Sequence, residues 1–558
     1  MRATCSNSQG QPIGTYTHAE IPEIPEGVTV HVANAPVEET VNIAWMGATS
    51  DALAPAANWG LTGADLGFGG DKYRATFAPA EAVRRMATVT ADATFHGLVF
   101  SGDDFTLASG QGNPTVGVYG DGIAFTDDPA ANETAHTYTV EPKIDFRLPT
   151  TVTVPQLDTL TFAGGLTTTE DVAFHGLGKV QLGGTSEFTG SITVSNAYFL
   201  CHGTVGAADG SSGSLLIDAD PVNGSGGRLL FSNAVVNARM NLRNRQSHNG
   251  YLDFKGVTNR FAGAVSFGSR SCTLGINSAS TVVFEGGVSG NIKLYITGGG
   301  TMVVRGTPAG QLGSAEGNPL ATQSPGGRLV LQTSDNLIRW IKPTHALVVR
   351  TEADYALNGR TGALQYSLNK SSTFDLASTR QRVQVLEGVS GGTITGEQGA
   401  VLELAPGEGL VSTVASRVNG AVSLLVDAGG TVILTNNAFA SSGDISVTNG
   451  TLEIAHDATW LNGTNVTVSG TGVLKLGSAA FNKDHAVLHL AGNGSFEIAA
   501  GVTASFAEAF FLDAGTGREV RIAPGSYTRA TASGPLAGRI AGGGTVYVRS
   551  LGTMVLFR

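Results

Sequence analysis

The chain has 558 residues, of which 14% are charged and 77 are Gly, and its net charge is −11. The charged fraction is far below the roughly 25% of ordinary domains, yet 41% of residues are hydrophobic and evenly spread, which excludes a disordered chain. The acid excess is diffuse, and with no basic stripe to neutralise phosphates a nucleic-acid partner is excluded.

The opening, MRATCSNSQGQPIG, lacks the basic region followed by an apolar one that marks a signal peptide. Residues 1–40, with Pro22, Pro25 and Pro36, read as an N-terminal extended arm. Residues 41–150 read as a β-rich entry region, 151–500 as the solenoid proper and 501–558 as a C-terminal β cap. No run of 18 apolar residues occurs, so no helix is expected to span a membrane. Short helices are expected only near Ala80–Met86 and Ser505–Phe511.

Three units align on Phe188, Phe261 and Phe439: GKVQLGGTSEFTGSITVSNAYFLCHG from Gly178, GYLDFKGVTNRFAGAVSFGSRSCTLG from Gly250, and GTVILTNNAFASSGDISVTNGTLEIA from Gly430. Each opens on alternating apolar residues (Val180/Leu182, Leu252/Phe254, Val432/Leu434). A polar turn, the Phe and a Gly follow. Then come two more alternating strands, Ile192/Val194 and Tyr198/Leu200 in the first unit. Alternation of period 2 puts one set of side chains inward and the other outward. One unit cannot bury its apolar face alone, but the next unit stacked upon it can. The expected fold is all-β, a parallel β-helix, with the three Phe as core aromatics at corners. GGGTMVVRG (298–306) and GGGTVYVRS (542–550) read as weaker copies.

The three units resemble the autotransporter-associated β-strand repeat. Trp45, Gly47, Asn58 and Trp59, in AWMGATSDALAPAANWG, resemble the segment with which such proteins often open. The resemblance implies a right-handed β-helix, secreted or displayed on the surface of a bacterium, and it implies that Trp45 and Trp59 close the N-terminal end of the core. The chain departs from the pattern at its end, RSLGTMVLFR, where no long segment could form a translocation barrel. Secretion then implies another export route and a processed form of the chain.

Catalytic signals are sparse. The doublets Asp103-Asp104 and Asp127-Asp128 point to opposite faces of any strand and read as turns. GVSGG (388–392) has the letters of a nucleophile elbow without the following helix, and also reads as a turn. The densest basic segment, RNRQSHNG (243–250), offers Arg243, Arg245 and His248 as a glycan contact, against the alternative of a solvated loop. Trp460 is the tryptophan best placed to be exposed, and Trp340 reads as core in register with Ile338. The eleven histidines are dispersed, so no metal or other cofactor is expected. Cys201 and Cys272 read as buried thiols in preference to a disulfide. The function expected is that of a non-catalytic extracellular or cell-surface rod, structural or adhesive, with itself or glycans as partner. The arm or the strand edges would mediate self-assembly. The alternative is a polysaccharide-degrading or glycan-binding β-helix. A groove lined by Asp, Glu or Arg from successive rungs would favour the enzyme, and exposed aromatics on one face the glycan binder.

Overall fold

A computed structural model describes the strands at 2–6, 12–17 and 33–34 and the chain from 40 to 550, less short internal segments of which 127–133, 220–227, 245–249, 307–318 and 456–464 are the longest. The described chain is a parallel β-solenoid of about 16 turns. One turn shows the scheme. Thr159–Phe162, Leu166–Thr168 and Val172–Gly176 lie on three successive sides. Each pairs in parallel with its counterpart one turn later: Lys179–Leu182, Thr185–Phe188 and Ile192–Ser195. These sides are called here the first, second and third faces. Leu160 pairs with Val180 and Val180 with Phe199, so a turn takes 20 or 19 residues there. Insertions lengthen it elsewhere, as between Phe199 and its partner Leu229.

The alternation predicted from the sequence is the alternation observed. Thr159–Phe162 and Lys179–Leu182 each bury every second residue, because inward side chains of one rung pack on those of the next. Aromatics stack on aromatics: Phe231 on Phe254, with ring centroids 5.7 Å apart, and Phe261 on Phe284, at 5.2 Å. Phe188 and Phe261 are buried at the ends of their strands, as expected of corner residues. Phe439 lies on Phe439–Ser441, but its side chain falls outside the described residues. The two GGG segments are twins in structure too. Gly298 and Gly542 both have positive φ, and a Cβ on either would lie within 2.4 and 2.1 Å of the carbonyl oxygens of Ile276 and Ile498 one rung below.

The third face has seven strands, from Thr150–Val154 to Val288–Ser289. Beyond it the first and second faces continue, joined by loops. Near the end, single strands run through a corner and pair on both sides of it. Ser423–Leu434 and Ile445–Ile454 do so with a register shift around Asp427. Residues 501–550 continue the ladder through Thr503–Asp513 and then cover its end with the antiparallel strands Arg518–Arg521 and Gly525–Tyr527.

The N-terminal end is closed by the Trp-Gly…Asn-Trp segment. Trp45 and Trp59 are buried and meet edge to face at 5.3 Å. Their indole N–H groups donate to the carbonyls of Arg84 and Leu53. Asn58, fully buried, binds the loop together. Its Oδ1 accepts from the N–H groups of Thr49 and Ser50 at 2.8 and 3.0 Å, and its Nδ2 donates to the Ala52 carbonyl at 2.8 Å. Gly47 is required where it stands: its φ is +61°, and a Cβ would lie 2.7 Å from Cβ of Arg84.

Several expectations are corrected. Ser505–Phe511 is no helix but part of the strand Thr503–Asp513, whose Ala504 and Phe506 point into the core. Residues 82–85 are irregular and Met86 opens the strand Met86–Val89. Within the first forty residues, Arg2–Ser6 pairs antiparallel with both Pro12–Thr17 and Ala33–Asn34. That pairing uses edges that an extended arm would have offered to a neighbour. In YFLC the inward residues are Phe199 and Cys201, so Tyr198 and Leu200 face out. Four apolar residues in a row carry no parity, and the pairing of Phe199 with Val180 sets it. Trp340 is likewise outward and half-buried beside the buried Ile341, and Lys342 lies 5.2 Å from its ring.

Cys201 and Cys272 are buried free thiols. Three rungs separate their strands, about 14 Å at the spacing of paired strands, too far for a disulfide. Burial pushes the Cys201 thiol up to about 11 and that of Cys272 up as well. Both should be inert to a thiol reagent at pH 8 in the native protein and react on unfolding; rapid native labelling at either, read by mass spectrometry, would contradict their placement. Asn58→Ala removes partners from the Thr49 and Ser50 amides and the Ala52 carbonyl, at a cost of about 3 kcal/mol. Hydrogen exchange should then accelerate in Val41–Ala44 and Tyr73–Phe77 while the rungs around Val466 keep their protection. Unchanged exchange at the N-terminal rungs would show that Asn58 does not hold them.

Candidate functional site

The outer faces are where chemistry must be sought, because the interior is filled. Open hollows are found at the C-terminal cap, about 430 Å³ between Phe511, Asp513, Val520 and Arg539, and on the third face, about 320 Å³ between Pro149, Thr151, Asp171 and Thr193. Each contains one carboxylate, and glycoside hydrolysis takes two. Asp513 is committed to its own turn: the Gly515 N–H and the Thr516 hydroxyl hold its carboxyl below the usual range. Asp171 accepts from the Ser191 amide at 2.7 Å.

The doublet Asp103-Asp104 divides as a turn should. Asp103 pairs with Arg85 at 2.5 Å, and Asp104 accepts from the Thr137 amide at 2.6 Å on the next rung. Asp127-Asp128 lies outside the described residues. GVSGG joins the strands Arg380–Gly388 and Thr393–Gly396, so Ser390 has no following helix and its segment is a turn. Of the glycan-contact candidates, Arg243 lies on the third-face strand Arg239–Asn244 with its side chain outside the described residues, where Arg245, His248 and Trp460 also lie. Among the described residues no three His, Cys, Asp or Glu converge as metal ligands would.

The largest charged array runs along the second face. Arg260 meets Glu285 at 2.7 Å, and Glu285 meets Arg305 at 3.5 Å. Arg305 donates to Gln332, which donates to Glu352 at 2.8 Å. Arg350 then joins Glu352 at 2.9 Å, Asp375 at 2.7 Å and Glu397 at 3.5 Å. These residues come from seven successive rungs of one ladder. With Arg328, which approaches Asp375, four arginines face four acids. The array lies in line with successive rungs but compensates its own charge, so it acts as a brace along the rod. On the first face, Arg380 and Arg382 both bind Glu403, whose side chain is 3% exposed, and the Tyr355 ring lies between Arg360 and Arg380, 5.8 and 5.9 Å from them.

A second array lies on the first face. Tyr198, Tyr251 and Tyr295 fall in one column of the parallel register, with Trp340 on a strand two rungs beyond Tyr295. Neither array is legible as a motif. Successive partners of the charged array lie 20 to 27 residues apart and the tyrosines 53 and 44 apart, and only rung-by-rung alignment would bring them together. Comparison with known protein families, curated proteins and solved structures finds no match to this chain.

Hydrogen bonds from Gln332 and then Arg350 hold the Glu352 carboxyl below the usual range. A folded pKa depressed below the unfolded value stabilises above the ordinary glutamate value, about 4.3, and that contribution is lost as pH falls through the folded value. Glu352→Gln should therefore lower the unfolding free energy from urea titration at pH 7 by up to about 1 kcal/mol. The difference should shrink toward pH 3 and in 1 M salt, where screening is short-ranged. A difference that persists at pH 3 would contradict the ion-pair account.

Proposed function

We propose that this chain is a non-catalytic structural or adhesive rod of a bacterial exterior, of the kind built from autotransporter-associated β-strand repeats. The observation that carries the reading is the use to which the outer charges are put. Across seven rungs of the second face four arginines and four acids of the described residues pair with one another, which stiffens the stack and compensates their charge. Outward third-face positions are small over several rungs, with Thr151, Ala173 and Thr193 in register. About 16 rungs at roughly 4.8 Å each give a rod on the order of 75 Å long, a length suited to a spacer or a filament subunit.

Self-assembly, where it occurs, uses the ends of the rod. Among the described residues Val41–Ala44 is paired with Tyr73–Phe77 alone, which offers its outer edge to strand addition. The far end, with its charged antiparallel strand Arg518–Arg521, presents the exposed apolar residues Leu512 and Val520. The glycan-binding alternative gains from the outward, half-buried Tyr198, Tyr295 and Trp340 of the first face.

Negative-stain microscopy of the purified chain across a concentration series tests the proposal. Rods joined end to end in growing number with concentration are expected. Isolated particles at every concentration would remove the assembly reading. Release of new reducing ends from an added polysaccharide would overturn the non-catalytic one.

A further inference from the structure

Among the described residues few large apolar side chains are exposed, and more than half of those stand at the two ends of the rod. Val41, Leu61, Val83 and Met86 belong to the first rungs, and Leu512, Val520 and Tyr547 to the last; six others are scattered between them. Val83 is the most exposed of all, at 76%. Its segment is braced. The Val83 N–H donates to the Met46 carbonyl at 2.9 Å, and the next residue, Arg84, accepts from the Trp45 indole and pairs with Asp51 at 3.3 Å. An apolar side chain held out on a fixed segment is already arranged for a contact and loses little freedom in making it.

The opposite end offers the counterpart. The hollow of the cap is walled by Phe511, Val520 and Pro535, and its two charged groups are engaged within the chain. Asp513 is held by its own turn. Arg539 lies 5.1 Å from the Phe511 ring and donates to the carbonyls of Gly494 and Gly492. What the hollow leaves to a partner is apolar wall.

Patch and hollow occupy the same station of the rod. Val83 lies in the segment that leads into Met86–Val89, the opening strand of the first face. Pro535, Ala537 and Arg539 lie in the segment that leads into Ile540–Gly542, the last strand of that face. A second copy, added by the same step that relates one rung to the next, brings its N-terminal patch over this hollow along the same edge of the rod.

We infer that the hollow of the cap receives the N-terminal apolar patch of a second copy of this chain, with Val83 foremost. The inference rests on the assembly reading above and names its joint. The contact is heterologous, because the two surfaces differ and stand at opposite ends of one molecule. Each copy added leaves a free patch at one end and a free hollow at the other, so growth is linear and polar. Like ends do not pair, since two hollows have nothing to fill them. A polar small molecule finds no unengaged charge in the hollow.

Cross-linking and sedimentation velocity of the full chain test the joint. In a Cys5→Ser background, Val83→Cys chains and Val520→Cys chains should form a disulfide-linked pair under mild oxidation only when the two are mixed. Cross-linking within either population alone would show a joint of like ends and overturn the inference. Val83→Asp and Val520→Asp should each raise the concentration of half-assembly by about 10-fold or more, since each sets a charge in an apolar contact, with the unfolding midpoint unchanged. Val257→Asp, at a mid-rod residue 73% exposed, should leave assembly as in the parent. Undiminished assembly of the Val83→Asp and Val520→Asp chains would overturn this joint and leave the assembly of rods standing. A parent chain that stays single at every concentration would overturn both. A photo-reactive group at position 520 that captures residues 551–558 of its own chain, in place of a neighbour, would give the hollow an internal occupant and overturn the joint.

Discussion

Everything in this molecule depends on one constraint: a residue in a parallel stack sits directly over the residue at the same position one turn earlier. The pairs Leu160–Val180 and Phe231–Phe254 are instances of it. No turn has a core of its own. Each buries its inward side chains only because a neighbour covers them. The outward residues are excused from this demand, and the ends of the rod are exposed to its consequences. The tryptophans and Asn58 at one end and the antiparallel strands at the other are the answers to that exposure.

The same constraint explains what could be read from the sequence. Where polar and apolar residues alternate, as in KVQL and TLTF, the inward set is unambiguous, and the all-β stacked fold follows from counting. The corner phenylalanines Phe188 and Phe261 and the capping pair Trp45 and Trp59 are buried as expected. Reading failed where the pattern lost its parity. YFLC is apolar throughout, and the strand around Trp340 is flanked by both apolar and basic residues, so only the neighbouring rungs decide which side faces out. Ser505–Phe511 has helix-like composition but lies on a strand that pairs in parallel with Phe481–Ala491 one rung below. Arg243, Arg245 and His248 stand out by local density, whereas the arrays on the surface are assembled from residues 20 to more than 50 positions apart.

Two faces of one rod thus use charge in opposite ways. On the second, arginines and acids of neighbouring rungs pair, and their attraction is spent within the protein. On the first, Lys293 and Lys342 stand beside the rings of Tyr295 and Trp340. A scaffold of fixed rise is well suited to this division. It converts side chains far apart in sequence into columns of constant spacing.

The central claim is the stacking itself, and distances along one outward column measure it. Thr161, Gln181 and Thr297 share a column, with six rungs between Thr161 and Thr297 and five between Gln181 and Thr297. Spin labels at these pairs should give pulsed-resonance distances of about 29 and 24 Å, differing by one strand spacing. Distances that do not shorten by one spacing when the label moves one rung would contradict the solenoid and everything built upon it.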